Sequence, residues 1–103
     1  MVEIVNSGEQ VTAGIVGDID HHTASGIRTE IDAVLENTTP QLLILDFGGV
    51  KFMDSSGIGL ILGRQRVLQS FGGRLFIKNA TGHAEKIVKL AGLSGLMIGG
   101  GKG

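Results

Sequence analysis

From Leu42 to Lys78 the chain runs through an apolar stretch, a helix-periodic segment and a second strand-like stretch, and this order confines the fold more than any other feature. Leu42-Leu43-Ile44-Leu45 is short and continuously apolar, as in a strand buried on both faces. The spacing then predicts a helix over 55–70, and after the breaker Gly72-Gly73 a strand from Arg74 to Lys78. A strand, a crossover helix and a second strand in this order make a βαβ unit, which is right-handed in nearly all cases. The first of these strands is expected over Leu42–Phe47.

The remaining elements build outward from that unit. Val2–Val5 and Gln10–Val16 are rich in β-branched residues and separated by the turn cluster Asn6-Ser7-Gly8-Glu9, so they read as an antiparallel hairpin. Val11, Ala13 and Ile15 would face the core, and Gly14 marks a bulge or a close backbone approach. Ala24, Ile27, Ile31, Val34 and Leu35 form a helical stripe, with Asp20 as the expected N-cap and Asn37-Thr38-Thr39-Pro40 as the stop. A last helix from Gly82 or His83 to Ala91 buries Ala84, Ile87, Val88 and Ala91 and ends at Gly92. Beyond it stands at most a short strand at Leu96-Met97-Ile98, then a frayed tail over 99–103. The β-β-α-β-α-β-α order predicts a single α/β domain over 1–103, a mixed sheet of four or five strands with three helices packed mainly on one face.

The junction between the central strand and its helix is the part that looks like a site. Asp54 is placed to cap the helix with its carboxylate. Met53 and Ile58 then have the spacing of a hydrophobic staple. Ser55 becomes the first helical residue, at the positive end of the helix dipole, where a phosphate dianion is tolerated. Ser56, Gly59 and Gly63 follow at i, i+3 and i+7 and form one stripe, although each interior glycine costs about 1 kcal/mol relative to alanine. Two readings are open: another element of the same fold crosses closely there, or the stripe is a flat surface for a partner protein.

Composition removes several classes of function. A chain of 103 residues, 42% of them hydrophobic, is one small domain that buries about two-thirds of its unfolded surface. It has no cysteine, which argues against disulfides, thiolate chemistry and common zinc sites. Nine Lys and Arg balance ten Asp and Glu, without Trp or Tyr for base stacking, so nucleic acid is not an expected partner. No apolar tract approaches the roughly 20 residues of a spanning helix, and no signal-type segment opens the chain, so a membrane is not expected either and the cytoplasm is. His21-His22 cannot share one metal ion from adjacent helical positions, because such side chains diverge by about 100°. Gly57-Ile58-Gly59-Leu60-Ile61-Leu62-Gly63 misspaces the glycines of a dinucleotide fingerprint, and Lys78 stands where a ribose-binding acid belongs. Gly99-Gly100-Gly101-Lys102-Gly103 lacks the helix that a phosphate loop needs. Asp54, Ser55 and His21 or His22 form a hydrolase triad only on paper, without a nucleophile elbow.

Asp20-His21-His22-Thr23-Ala24 and the stretch from Phe52 to Arg64 resemble the two signature stretches of STAS domains. More narrowly, they resemble those of the sporulation anti-sigma factor antagonists of endospore-forming bacteria, over nearly the whole chain in element order. The resemblance implies a non-enzymatic switch, with no catalytic residue, metal or cofactor. In that family the unphosphorylated antagonist binds an anti-sigma factor that is also a serine kinase, and so frees the sigma factor. The kinase phosphorylates the serine directly after the aspartate, here Ser55, and a metal-dependent serine phosphatase reverses it. The partner surface is thereby expected at Asp20, His21, Asp54, Ser55, Ser56, Gly57, Gly59 and Gly63, on a monomer. Relatives often continue into a further helix where this chain stops soon after Leu96. Stress-response relatives share the Asp-Ser-x-Gly core, so a nucleotide-binding or regulatory module of a stress circuit is the alternative. If the strands ending near Gly17 and Phe47 run parallel, Asp20 and Asp54-Ser55 emerge at one sheet edge, where α/β sheets place their sites.

Overall fold

Residues Val2–Ser7 (β1) and Gln10–Ile19 (β2) pair antiparallel from Val2↔Ile15 to Ser7↔Gln10, so the connecting turn is only Gly8-Glu9. Gly8 sits at φ +72, the sign that a tight hairpin demands at its first turn position. The computed structural model describes residues 1–98, and the frayed tail expected over 99–103 lies outside the described residues. The chain continues through α1 (Ala24–Thr38), β3 (Leu42–Met53), α2 (Ser55–Gln69), β4 (Arg74–Lys78), α3 (Gly82–Leu90) and β5 (Met97–Ile98), the last entered from a 3-10 turn at Ser94–Leu96. The five strands form one sheet in the order β1-β2-β3-β4-β5, with β1 antiparallel and each later pair parallel. The sheet is mixed, as expected.

Alternation along the strands decides which face is buried. Val11, Ala13 and Ile15 of β2, Leu43, Leu45 and Phe47 of β3, and Leu75 and Ile77 of β4 join one core cluster. Ile27, Ile31 and Leu35 of α1, Leu60, Ile61 and Leu68 of α2, and Ala84 and Val88 of α3 complete the same cluster. The intervening Thr12, Gly14, Asp46, Phe76 and Lys78 stay partly exposed, so the helices cover one face of the sheet. Ile44 is the exception, buried on the open face between its register neighbours Thr12 and Phe76.

Three strands are longer than their patterns predict. β1 runs to Ser7 rather than Val5, β2 to Ile19 rather than Val16, and β3 to Met53 rather than Phe47. Gly48-Gly49, just past the expected end at Phe47, lies inside β3. A Cβ on Gly49 would sit 3.0 Å from the Ile15 carbonyl oxygen, so the glycine answers a close strand approach, not a turn. Between Gly14↔Asp46 and Val16↔Gly49, two steps of β2 face three of β3, and the same happens between Gly17↔Val50 and Ile19↔Met53. Each irregularity adds one residue to β3 and resets its alternation. As a result Met53 returns to the core, fully buried at the end of the strand.

The helix ends follow local chemistry. Thr39 at φ 38 closes α1 with its N–H donating to the Leu35 carbonyl. At the end of α3, Gly92 at φ +78 donates to Lys89 and Leu93 donates to Val88, the paired bonds of a Schellman motif. The start of α1 differs from expectation: the helix begins at Ala24, so Asp20 is not its N-cap. Among the described residues, no helix is long and apolar enough to cross a membrane.

Candidate functional site

Parallel pairing brings the ends of β2 and β3 together. Ile19 pairs with Met53, and the Asp54 N–H donates to the Ile19 carbonyl at 3.1 Å. The chain therefore leaves both strands at one sheet edge, toward Asp20 on one side and Ser55 on the other. This is the juxtaposition expected from the two motifs.

Asp20 organises the turn that feeds α1. Its Oδ1 accepts from the N–H groups of His22 (2.9 Å) and Thr23 (3.0 Å), while Thr23 Oγ1 accepts from the Asp20 N–H at 2.9 Å. This reciprocal pair is a capping box, and the Ala24 N–H already bonds the Asp20 carbonyl at 2.9 Å. Asp20 thus caps a lead-in turn rather than the regular helix, whose own flanking residue Thr23 makes no side-chain cap bond. Burial pushes the Asp20 pKa up, but the Thr23 and His22 N–H groups, the charge of His22 and the Thr23 hydroxyl hold it below the usual aspartate value. The His21 and His22 rings lie 4.0 Å apart, and both residues are exposed.

On the other side, Asp54 does cap α2. It is extended at φ −103, ψ −168, and its Oδ1 accepts from the Ser56 N–H at 2.8 Å. Ser55 is the first helical residue and exposed; Ser56 is half-buried. Met53 is buried, and Ile58 is partly buried against the same core.

The glycines separate into two kinds. Gly57, grouped with the partner residues in the sequence, is buried, and a Cβ there would collide with the Met53 side chain. Its smallness serves packing beneath the surface. A Cβ on Gly59 or Gly63 would have nothing within 4 Å among the described residues, so no other described element crosses the stripe. The stripe instead floors an open groove of about 350 Å³ shared with α1.

Three features went unread in the sequence. Phe52, 42% exposed, stacks on His83 with ring centroids 4.9 Å apart, bringing the start of α3 to the same edge. Nothing local links residues 52 and 83, which a whole helix and strand separate. Arg64, the last residue of the second motif, is only 5% exposed and faces Asp32 of α1. Arg28 lines the same groove. A buried arginine runs against the ordinary preference of charged residues for water, so pattern alone gives no signal for it.

Residues 2–100 match the STAS domain. The chain belongs to the STAS domain family. An anti-sigma F factor antagonist of Lysinibacillus sphaericus is 37% identical over 90 residues, 87% of this STAS domain and 77% of the relative. The solved structure of the anti-sigma factor antagonist SpoIIAA in its unphosphorylated form superposes with a TM-score of 0.85 at 31% identity, covering 95% of this chain and 86% of that one. The Bacillus SpoIIAA structure in its phosphorylated form gives 0.76 at 31% identity, covering 95% and 89%. The fold of this STAS domain, with five strands and three α-helices among the described residues, matches that of SpoIIAA.

Proposed function

We propose that this STAS domain is an anti-sigma factor antagonist: unphosphorylated, it binds an anti-sigma factor and releases a sigma factor, and phosphorylation of Ser55 switches it off. The observation that carries the reading is the bond from the Asp54 N–H to the Ile19 carbonyl, which holds Asp20 and the exposed Ser55 on one surface. Relatives that bear the name of anti-sigma F factor antagonist, and a SpoIIAA known in both phosphorylation states, support it. The partner is an anti-sigma factor with serine kinase activity, a metal-dependent phosphatase resets the switch, and the setting is the cytoplasm of a sporulating cell. The domain acts as a binding protein, not an enzyme.

The physics of the switch is local. A phosphate adds about −1.5 to −2 charges at pH 7. At Ser55 it meets the dipole of α2, worth roughly 0.3 to 1 kcal/mol in its favour at an exposed site, and Asp54 opposes it. The fold survives. A partner shaped for a neutral hydroxyl must instead desolvate a dianion at the interface, and binding fails.

The site assignment is tested by incubating the protein with its cognate anti-sigma kinase and ATP and mapping the phosphate by mass spectrometry. Ser55→Ala is expected to abolish labelling and Ser56→Ala to retain it. Labelling that persists in Ser55→Ala would sink the assignment.

A further inference from the structure

The groove between α1 and α2 adjoins the switch, because Ser56 lines it directly beside Ser55. Its walls are Ser25 and Arg28 from α1 and Ser56 and Arg64 from α2, over the bare backbone of Gly59 and Gly63. Among these residues there are two guanidinium groups and two hydroxyls but no carboxylate. Arg64 is 95% buried by the complement of its 5% exposure, a costly place for a charge. Its Nε pairs with Asp32 Oδ1 at 2.7 Å. Asp32 is thus the one carboxylate paired with Arg64 among the described residues. Arg28 makes no ion pair among the described residues. Burial and then the neighbouring Arg28 charge act to lower the Arg64 pKa, with Asp32 opposing. Two arginines that repel each other across an open groove leave net positive charge that a single Asp32 does not neutralise.

We propose that this groove receives an aspartate or glutamate side chain of the anti-sigma factor, its carboxylate held between Arg28 and Arg64. The inference rests on the antagonist reading and extends it to the chemistry of the partner. Charge complementarity selects an acid. Continuity with the Ser55–Ser56 surface selects a protein partner over a free anion, and the uncovered Gly59 and Gly63 let its backbone come close. The arrangement also sharpens the switch. A phosphate on Ser55 stands beside the incoming carboxylate and competes for the same positive field.

The experiment measures the affinity of Arg28→Lys, Arg28→Ala and Arg28→Glu for the cognate anti-sigma factor at low and high salt, with Asp20→Asn and Ser55-phosphorylated protein alongside. Arg28 is exposed, so these variants are expected to fold, and their melting curves check it. The Lys variant should bind within about fivefold of wild type, the Ala variant roughly tenfold more weakly and the Glu variant about a hundredfold more weakly, with a flatter salt dependence in the last two. If Arg28→Glu binds like wild type while Asp20→Asn and phosphorylation weaken binding, the antagonist reading stands and the groove proposal falls. If none of the three changes binding, both fall. Inorganic phosphate is the second probe: saturable binding to the free protein that Arg28→Ala abolishes, with partner affinity unchanged, would overturn the proposal in favour of a small-anion site.

Discussion

Ser55 and Gly57 are two residues apart in one helical turn, yet one faces water and the other the core. Substitutions there should therefore separate binding from stability. Gly57→Ala drives a methyl into the fully buried Met53, an overpacking that costs about 1–3 kcal/mol and outweighs the roughly 1 kcal/mol gained in helix propensity. A lowered thermal midpoint is expected, with affinity per folded molecule unchanged. Gly59→Ala meets open space, so its melting temperature should rise while partner binding weakens. Asp20→Asn keeps a competent cap and should leave the melting curve nearly unmoved while weakening partner binding. Loss of fold with intact binding would reduce Asp20 to a cap. Protonation offers a further check. Asp46, pushed up by burial but held down by the Asn79 amide, the Gly48 N–H and the charge of Lys78, has a pKa below the ordinary value, as does Asp20. In the window between the folded pKa values and the unfolded value near about 4, the unfolded chain binds more protons. Asp46 thus stabilises the fold above about pH 4 and loses that contribution as pH falls below it, with a smaller share from the less buried Asp20. Melting curves between about pH 2 and 6 should show the decline, less steep in Asp46→Asn. The Asp54 cap and the exposed serine were both legible, because each depends on spacing within one turn. The roles of Gly57 and Gly59 were not, since a glycine's pattern does not say whether its missing side chain faces a neighbour or solvent.

Among the elements, α2, α3 and β4 were read nearly to the residue, whereas α1 starts later and β2 and β3 run longer than expected. Apolar period and stop signals locate α2 and α3, whereas the extensions of β2 and β3 depend on pairing between segments that a helix separates in sequence. Gly48-Gly49 carries the composition of a break, and only the close approach of Ile15 explains why the strand passes through it. The same blindness to long-range contact hid the pairing of α1 with α2 through Asp32 and Arg64. Asp32→Ala leaves a buried arginine without its counter-charge; with Asp32 itself 28% exposed at the side chain, the expected loss is about 1–3 kcal/mol. Pairing Asp32→Ala with Arg64→Met should recover much of that loss in chemical denaturation. Additive destabilisation in the double variant would show that the pair does not hold the two helices together.

At the scale of the molecule, a sheet whose β2 and β3 run parallel puts both strand ends on one edge, and all three helices bury against the same core. The surface at that edge is supported by bonded backbone, so a modification can change its charge without changing its shape. The central claim is that phosphate on Ser55 acts on binding and not on folding. The direct measurement is the affinity of unphosphorylated and Ser55-phosphorylated protein for the cognate anti-sigma factor, with thermal melting of both forms. The account predicts melting midpoints within about 5 °C, a shift worth roughly 1 kcal/mol for a domain of this size, and binding weaker by at least about a hundredfold. Undiminished binding by the phosphorylated protein, or loss of binding that follows loss of fold, contradicts it.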